Sequence, residues 1–122
     1  GFVMAISKRW KQPEQQYRQW FKSNDNFNLG QVQFIQVEDD LWVANLIGQH
    51  KINKDENGNA PIRYDAILEG LEKVGNFAVE NKATVHMPRI GCGLAGGTWD
   101  KIEPLIKSSL TIKNIQVTVY DF

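Results

Sequence analysis

At 122 residues the chain suffices for one hydrophobic core and is too short for two ordinary domains. Fourteen Lys and Arg residues balance fourteen Asp and Glu, so the zero formal charge gives no electrostatic case for duplex nucleic acid as a partner. No apolar run approaches the roughly 18 residues of a membrane span, no basic lead with a small-residue cleavage site marks a signal peptide, and the lone Cys92 excludes an internal disulfide and fits a reducing, cytoplasmic setting.

Gly1-Phe2-Val3-Met4-Ala5-Ile6 is apolar from the outset and reads as the interior of a longer chain. Phe2, Ile6 and Trp10, spaced by four, predict a first helix over 2–10. Pro13 opens a second over about 14–22, because proline is tolerated in a first helical turn. Tyr17, Trp20 and Phe21 form its apolar stripe, expected in the core. After a turn at Asn24–Gly30 the period changes to two: Gln31–Val37 and Leu41–Ile47 read as strands. The Asp39-Asp40 connection is short enough to make them an antiparallel pair. Gly48–Ala60 is a long polar loop, of a length that is functional or mobile more often than structural.

The strongest helical pattern covers 62–81, with Ile67, Leu68, Leu71, Val74, Phe77 and Ala78 on one stripe. Ala83–Met87 is a short strand, and residues 88–97 are a glycine-rich loop. A helix follows over 99–110, with Pro104 expected to restart it. Residues 114–121 form a last strand through Ile115, Val117 and Val119. Helix, strand, loop, helix, strand in that order predicts a crossover and a parallel pair, hence an α/β fold.

Between the short strand and the next helix, Gly91, Gly93, Gly96 and Gly97 fall within seven residues. Glycine lets a ligand approach backbone N–H groups closely. The helix that follows offers unsatisfied donors and the positive end of its dipole. Together these make an anion site suited to phosphate; the competing reading is a tight turn with no ligand. Gly91, Gly93 and Gly96 also spell the glycine pattern of dinucleotide-binding folds, with Asp121 downstream. That pattern ordinarily opens its domain, whereas here a hairpin and a long helix come before it. No phosphate-binding P-loop motif is present.

Around that loop the candidates divide. Arg89 fits a phosphate through its guanidinium fork or faces solvent. Asp100, in a first helical turn, is a general base or a dipole-compensating carboxylate. His50 and Lys51 open the long loop, and His50 is a base near neutral pH or a solvated histidine. His86 reads as a hydrogen-bonded structural residue, and Trp99 as a core anchor. Cys92 reads as a small residue fitting a tight loop, with a nucleophilic role as the rival. Two histidines and one cysteine without ligand spacing give no metal site, and Asp55-Glu56 reads as solvated loop.

His86-Met87-Pro88-Arg89-Ile90-Gly91-Cys92-Gly93-Leu94, followed by Trp99, resembles the second ligand loop of macrodomains. It is most similar to the branch containing terminal ADP-ribose protein glycohydrolases. Leu41–Ile47 resembles that branch's central strand, Arg63-Tyr64-Asp65-Ala66-Ile67 the start of the next helix, and Gly1–Ala5 the end of the first glycine-rich loop. The resemblance implies a macrodomain-like three-layer α/β/α sandwich around a mixed sheet. Residues 1–122 would be a single macrodomain, N-terminally truncated by the two strands with which family members begin.

As ligand the resemblance implies ADP-ribose or an ADP-ribosylated protein, with no separate cofactor. Ile90, Gly91, Cys92, Gly93, Leu94, Ala95, Gly96 and Gly97 would wrap the diphosphate through backbone N–H groups, with Arg89 beside them as the side-chain candidate already named. Gly1, Phe2 and Val3 would close over the distal ribose, and Tyr120 and Phe122 would flank the adenine. Ala95 stands where the glycohydrolase branch carries an aspartate, and no residue clearly matches its catalytic lysine. The functional expectation is ADP-ribose binding, with hydrolysis of ADP-ribose esters or of ADP-ribose 1″-phosphate beside it. The alternatives are a non-catalytic reader module and a dinucleotide-binding dehydrogenase fragment. Loss of two strands would leave sheet edges open to self-association.

Overall fold

Pro13 sits at the start of a helix, Gln12–Ser23, where its missing N–H breaks no bond, and Asn24 closes that helix in the left-handed conformation. The structure, a computed structural model, describes residues 2–49, 62–92 and 96–121. Among these residues the elements are α1 (Phe2–Arg9), α2 (Gln12–Ser23), β1 (Val32–Glu38), β2 (Leu41–Leu46), α3 (Tyr64–Asn81), β3 (Val85–Pro88), α4 (Trp99–Ser109) and β4 (Val117–Tyr120), with a 3-10 turn at Thr111–Lys113.

β1 and β2 pair antiparallel across Asp39-Asp40, with a register shift between Gln36 and Glu38. Alternation gives the hairpin two working faces. On one, Asn45 donates to the Pro13 carbonyl and Gln33 to that of Gln16, seating α2. On the other, Phe34 stacks on Phe77 of α3 at 4.1 Å between ring centroids, and Trp42 meets Phe77 edge-on. The hairpin is therefore a layer between two helices.

β3 and β4 pair parallel, Val85 against Val117 through Pro88 against Tyr120. Val85, Met87, Val117 and Val119 pack toward the core formed with Ile67, Leu71 and Ala78 of α3 and Ile102 and Ile106 of α4. His86, on the alternate face of the pair, is exposed. Helices α3 and α4 approach closely because Gly75 has no side chain: a Cβ there would lie 2.7 Å from the Ser109 carbonyl oxygen. The fold is α/β with mixed strand pairing, as expected. Among the described residues the strands form two separate ladders.

Two expectations need correction. Pro104 does not restart a helix: α4 runs through it from Trp99 to Ser109. The missing N–H costs one bond, to the carbonyl of the exposed Asp100. Burial of Ile102, Ile106 and Ser109 holds the turns on either side of it. The Tyr17, Trp20 and Phe21 stripe is not core. Phe21 is 65% exposed, and the three rings gather edge-on around Phe27 as a surface cluster.

Candidate functional site

β3 ends at Pro88, and the Ile90 N–H donates back to the Pro88 carbonyl, turning the chain out of the strand. Gly91 follows at φ +76°, a left-handed conformation that a side chain would strain. The loop then closes on itself. The Gly97 N–H donates to the Gly91 carbonyl at 2.8 Å, and Cys92 and Gly97 form a parallel bridge. There is no room for a side chain at either glycine of this neck. A Cβ on Gly97 would sit 2.3 Å from the Gly91 oxygen, and one on Gly91 would sit 2.4 Å from Cδ1 of Ile62. Buried Ile62 and Ile102 are the floor under it.

Past the neck, Thr98 is the extended N-cap of α4, and its side chain makes no capping bond. Its own N–H donates to the Tyr64 hydroxyl at 3.3 Å, which ties the start of α4 to the start of α3. The Thr98 carbonyl accepts from the Lys101 and Ile102 N–H groups, so backbone closes the first turn of α4. The positive end of the α4 dipole lies beside Gly97, a disposition that favours an anion. Gln49 and Ile62 form an isolated antiparallel bridge, and Ile62 lies against the glycine neck.

The structure brings together Arg89, Ile90, Gly91, Cys92, Gly96 and Gly97 around this neck. Gly1, His50, Lys51, Asp55, Glu56, Gly93, Leu94, Ala95 and Phe122 lie outside the described residues. Phe2 and Val3 lie on α1, which packs on α2, and Val3 is 73% exposed. Asp100 is exposed in the first turn of α4. Cys92 is half-buried. Tyr120 is exposed at the end of β4, 2.9 Å from His86 Nδ1 in a hydrogen bond whose donor depends on the histidine tautomer. Thr84 holds the other ring nitrogen of His86 at 3.1 Å, so His86 is hydrogen-bonded as its sequence context suggested.

Arg89 does not face solvent freely. Its Nε donates to Asp121 Oδ1 at 2.5 Å, and its guanidinium lies 5.2 Å from the Trp99 ring centroid. Trp99 itself packs half-buried against the core. Two of these parts have no local sequence signal: Ile62 as floor and Asp121 as partner to Arg89. The Tyr64 tether had one hint, the Arg63-Tyr64-Asp65 segment.

Among the described residues no group of three or more His, Cys, Asp or Glu could hold a metal, and no helix is long and apolar enough to cross a membrane. A groove of about 470 Å³ between α2 and β1 is lined by Gln16, Gln19, Trp20, Ser23, Asp25 and Gln33 and shares no residue with the glycine neck.

A strand–glycine loop–helix unit beside an antiparallel hairpin defines an α/β protein. The comparisons place it further. A protein of unknown function from Bacteroides thetaiotaomicron has 59% identity and a TM-score of 0.97, over 100% of this chain and 78% of that one. A macrodomain protein from Streptomyces coelicolor has 52% identity and a TM-score of 0.84, over 100% of this chain and 78% of that one. The chain belongs to the macrodomain family.

Among curated proteins, the chromodomain-helicase-DNA-binding protein 1-like of Danio rerio is 31% identical over 98% of this chain, which spans only 12% of that protein's length. The human ADP-ribose glycohydrolase OARD1 is 33% identical over 58 residues, covering 47% of this chain and 38% of that protein. No family profile matches the chain.

Proposed function

We propose that this chain binds ADP-ribose or an ADP-ribosyl group, with its diphosphate against the loop between β3 and α4. The observation that carries the reading is the closed glycine neck. Gly91 and Gly97 meet with no space for a Cβ, and the N-terminus of α4, which the Thr98 side chain does not cap, follows at once. Backbone donors free of side chains suit a diphosphate better than they suit a protein surface. Family membership favours ADP-ribose over the dinucleotide of a dehydrogenase, as do the hairpin and long helix that precede the glycine loop.

The binding role is better supported than turnover. Among the described residues no nucleophile stands beside a general base: Cys92 lies in the neck, Asp100 is exposed, and His86 is occupied by Thr84 and Tyr120. Ala95 also lacks the carboxylate found in the glycohydrolase branch. A hydrolase role for the whole protein is the second reading, favoured by the likeness to an ADP-ribose glycohydrolase. Incubation with a protein bearing ester-linked ADP-ribose separates them: retention of the modified protein without release of ADP-ribose is expected. Catalytic release would reverse the order of the two readings.

Self-association belongs to the same proposal. With two separate two-stranded ladders, each strand of the described structure has an edge not paired within its ladder. Light scattering after size exclusion should find dimers or larger species, and a monodisperse monomer would refute this part.

A further inference from the structure

Arg89 and Trp99 mark the two ends of the glycine loop. Arg89 is the first residue beyond β3 and Trp99 the first of α4. One side chain spans them: the Arg89 guanidinium lies over the Trp99 ring at 5.2 Å, and its Nε donates to Asp121, the residue just beyond β4. Three element ends, those of β3, β4 and α4, are thus joined above a neck whose backbone bond is Gly97 N–H to Gly91 carbonyl.

We propose that Arg89 is a positioning residue that fixes the width of the glycine neck through Asp121 and Trp99, and that it is not itself the phosphate contact. The inference rests on the reading of this loop as the ADP-ribose site and adds what holds it open. Two facts favour a clamp over a ligand contact. Asp121 occupies the Arg89 Nε donor and offsets its charge, which lowers the attraction of this guanidinium for a phosphate. A planar guanidinium stacked on an indole, itself packed against the core, is fixed in place before any ligand arrives.

The two roles predict opposite signs for one substitution. Asp121→Asn removes a negative charge next to an anionic ligand and frees Arg89. If Arg89 contacts phosphate, ADP-ribose binding tightens or stays unchanged. If Arg89 is a clamp, binding weakens. The pair is solvent-screened, with side chains 49% and 76% exposed, so the loss is modest, roughly threefold to fivefold. Arg89→Lys, which keeps the charge and loses the planar stack, should weaken binding by a similar factor.

Amide exchange in the unliganded full chain is read alongside the titration with ADP-ribose. The clamp predicts faster exchange at Ile90–Cys92 and Gly96–Thr98 in both variants, with exchange in α3 unchanged. Tighter or equal binding by Asp121→Asn, or unaltered exchange at the neck, overturns the proposal. If the unsubstituted chain binds no ADP-ribose, the functional reading falls, and the exchange experiment still decides the clamp.

Discussion

Replacing Gly97 with alanine would place a methyl group 2.3 Å from the Gly91 carbonyl oxygen and 2.7 Å from Cδ1 of Ile62. The oxygen cannot retreat cheaply, because it accepts the Gly97 N–H at 2.8 Å and that bond closes the neck. Ile62 is buried and lies against Gly91 as well, so its movement passes strain to the other side of the loop. Overpacking of this kind costs roughly 1–3 kcal/mol, and loss of the neck hydrogen bond adds about 0.5–1.5 kcal/mol. Gly97→Ala should therefore destabilise the chain by about 2–4 kcal/mol in urea denaturation.

Gly96→Ala is the informative control. Gly96 is exposed with φ +80°, so its substitution meets mainly the left-handed backbone penalty of roughly 1–2 kcal/mol. Dihedral reasoning alone makes Gly96 the more sensitive of the two, whereas the contact geometry makes it Gly97. A Gly97→Ala variant no less stable than Gly96→Ala would refute the closed neck on which the site is built.

Further expectations follow from the same packing. Gly75→Ala would ordinarily stabilise a helix by about 0.5–1 kcal/mol. Here the new Cβ meets the Ser109 carbonyl oxygen at 2.7 Å. Overpacking of roughly 1–3 kcal/mol should reverse the sign, and a gain in urea midpoint would contradict it. Partial desolvation by the neighbouring rings of the surface cluster raises the Tyr17 phenol above its ordinary value of 10.0. Its folded pKa then exceeds the unfolded one, so its contribution is complete below the unfolded value and is lost as pH rises through the folded value. Tyr17→Phe should flatten the alkaline limb of the stability profile; parallel losses in the two proteins would show that another group titrates there.

Local order was legible where one period or one residue type decides it. Pro13 announced α2, the two-residue turn announced the hairpin, and the 62–81 stripe announced α3, which begins two residues later at Tyr64. The glycine cluster pointed to the loop itself. What resisted reading depends on contacts distant in sequence. Tyr17, Trp20 and Phe21 have core spacing, yet Phe27 folds back onto them and leaves the group at the surface. Pro104 breaks helices in isolation, but here the buried Ile102 and Ile106 hold the helix together across it. Closure of the neck over Ile62, and the tie from Arg89 to Asp121, join segments about thirty residues apart, and no local pattern encodes them.

The central claim is that the glycine neck receives the diphosphate of ADP-ribose. Calorimetric titration with ADP-ribose, beside NAD and AMP, tests it most directly, on this chain and on one extended to the length of its solved relatives. The extended chain should bind ADP-ribose more tightly than either NAD or AMP, and the Gly97→Ala substitution should abolish most of that affinity. Equal or tighter binding of NAD, or no heat with ADP-ribose from either chain, would contradict it.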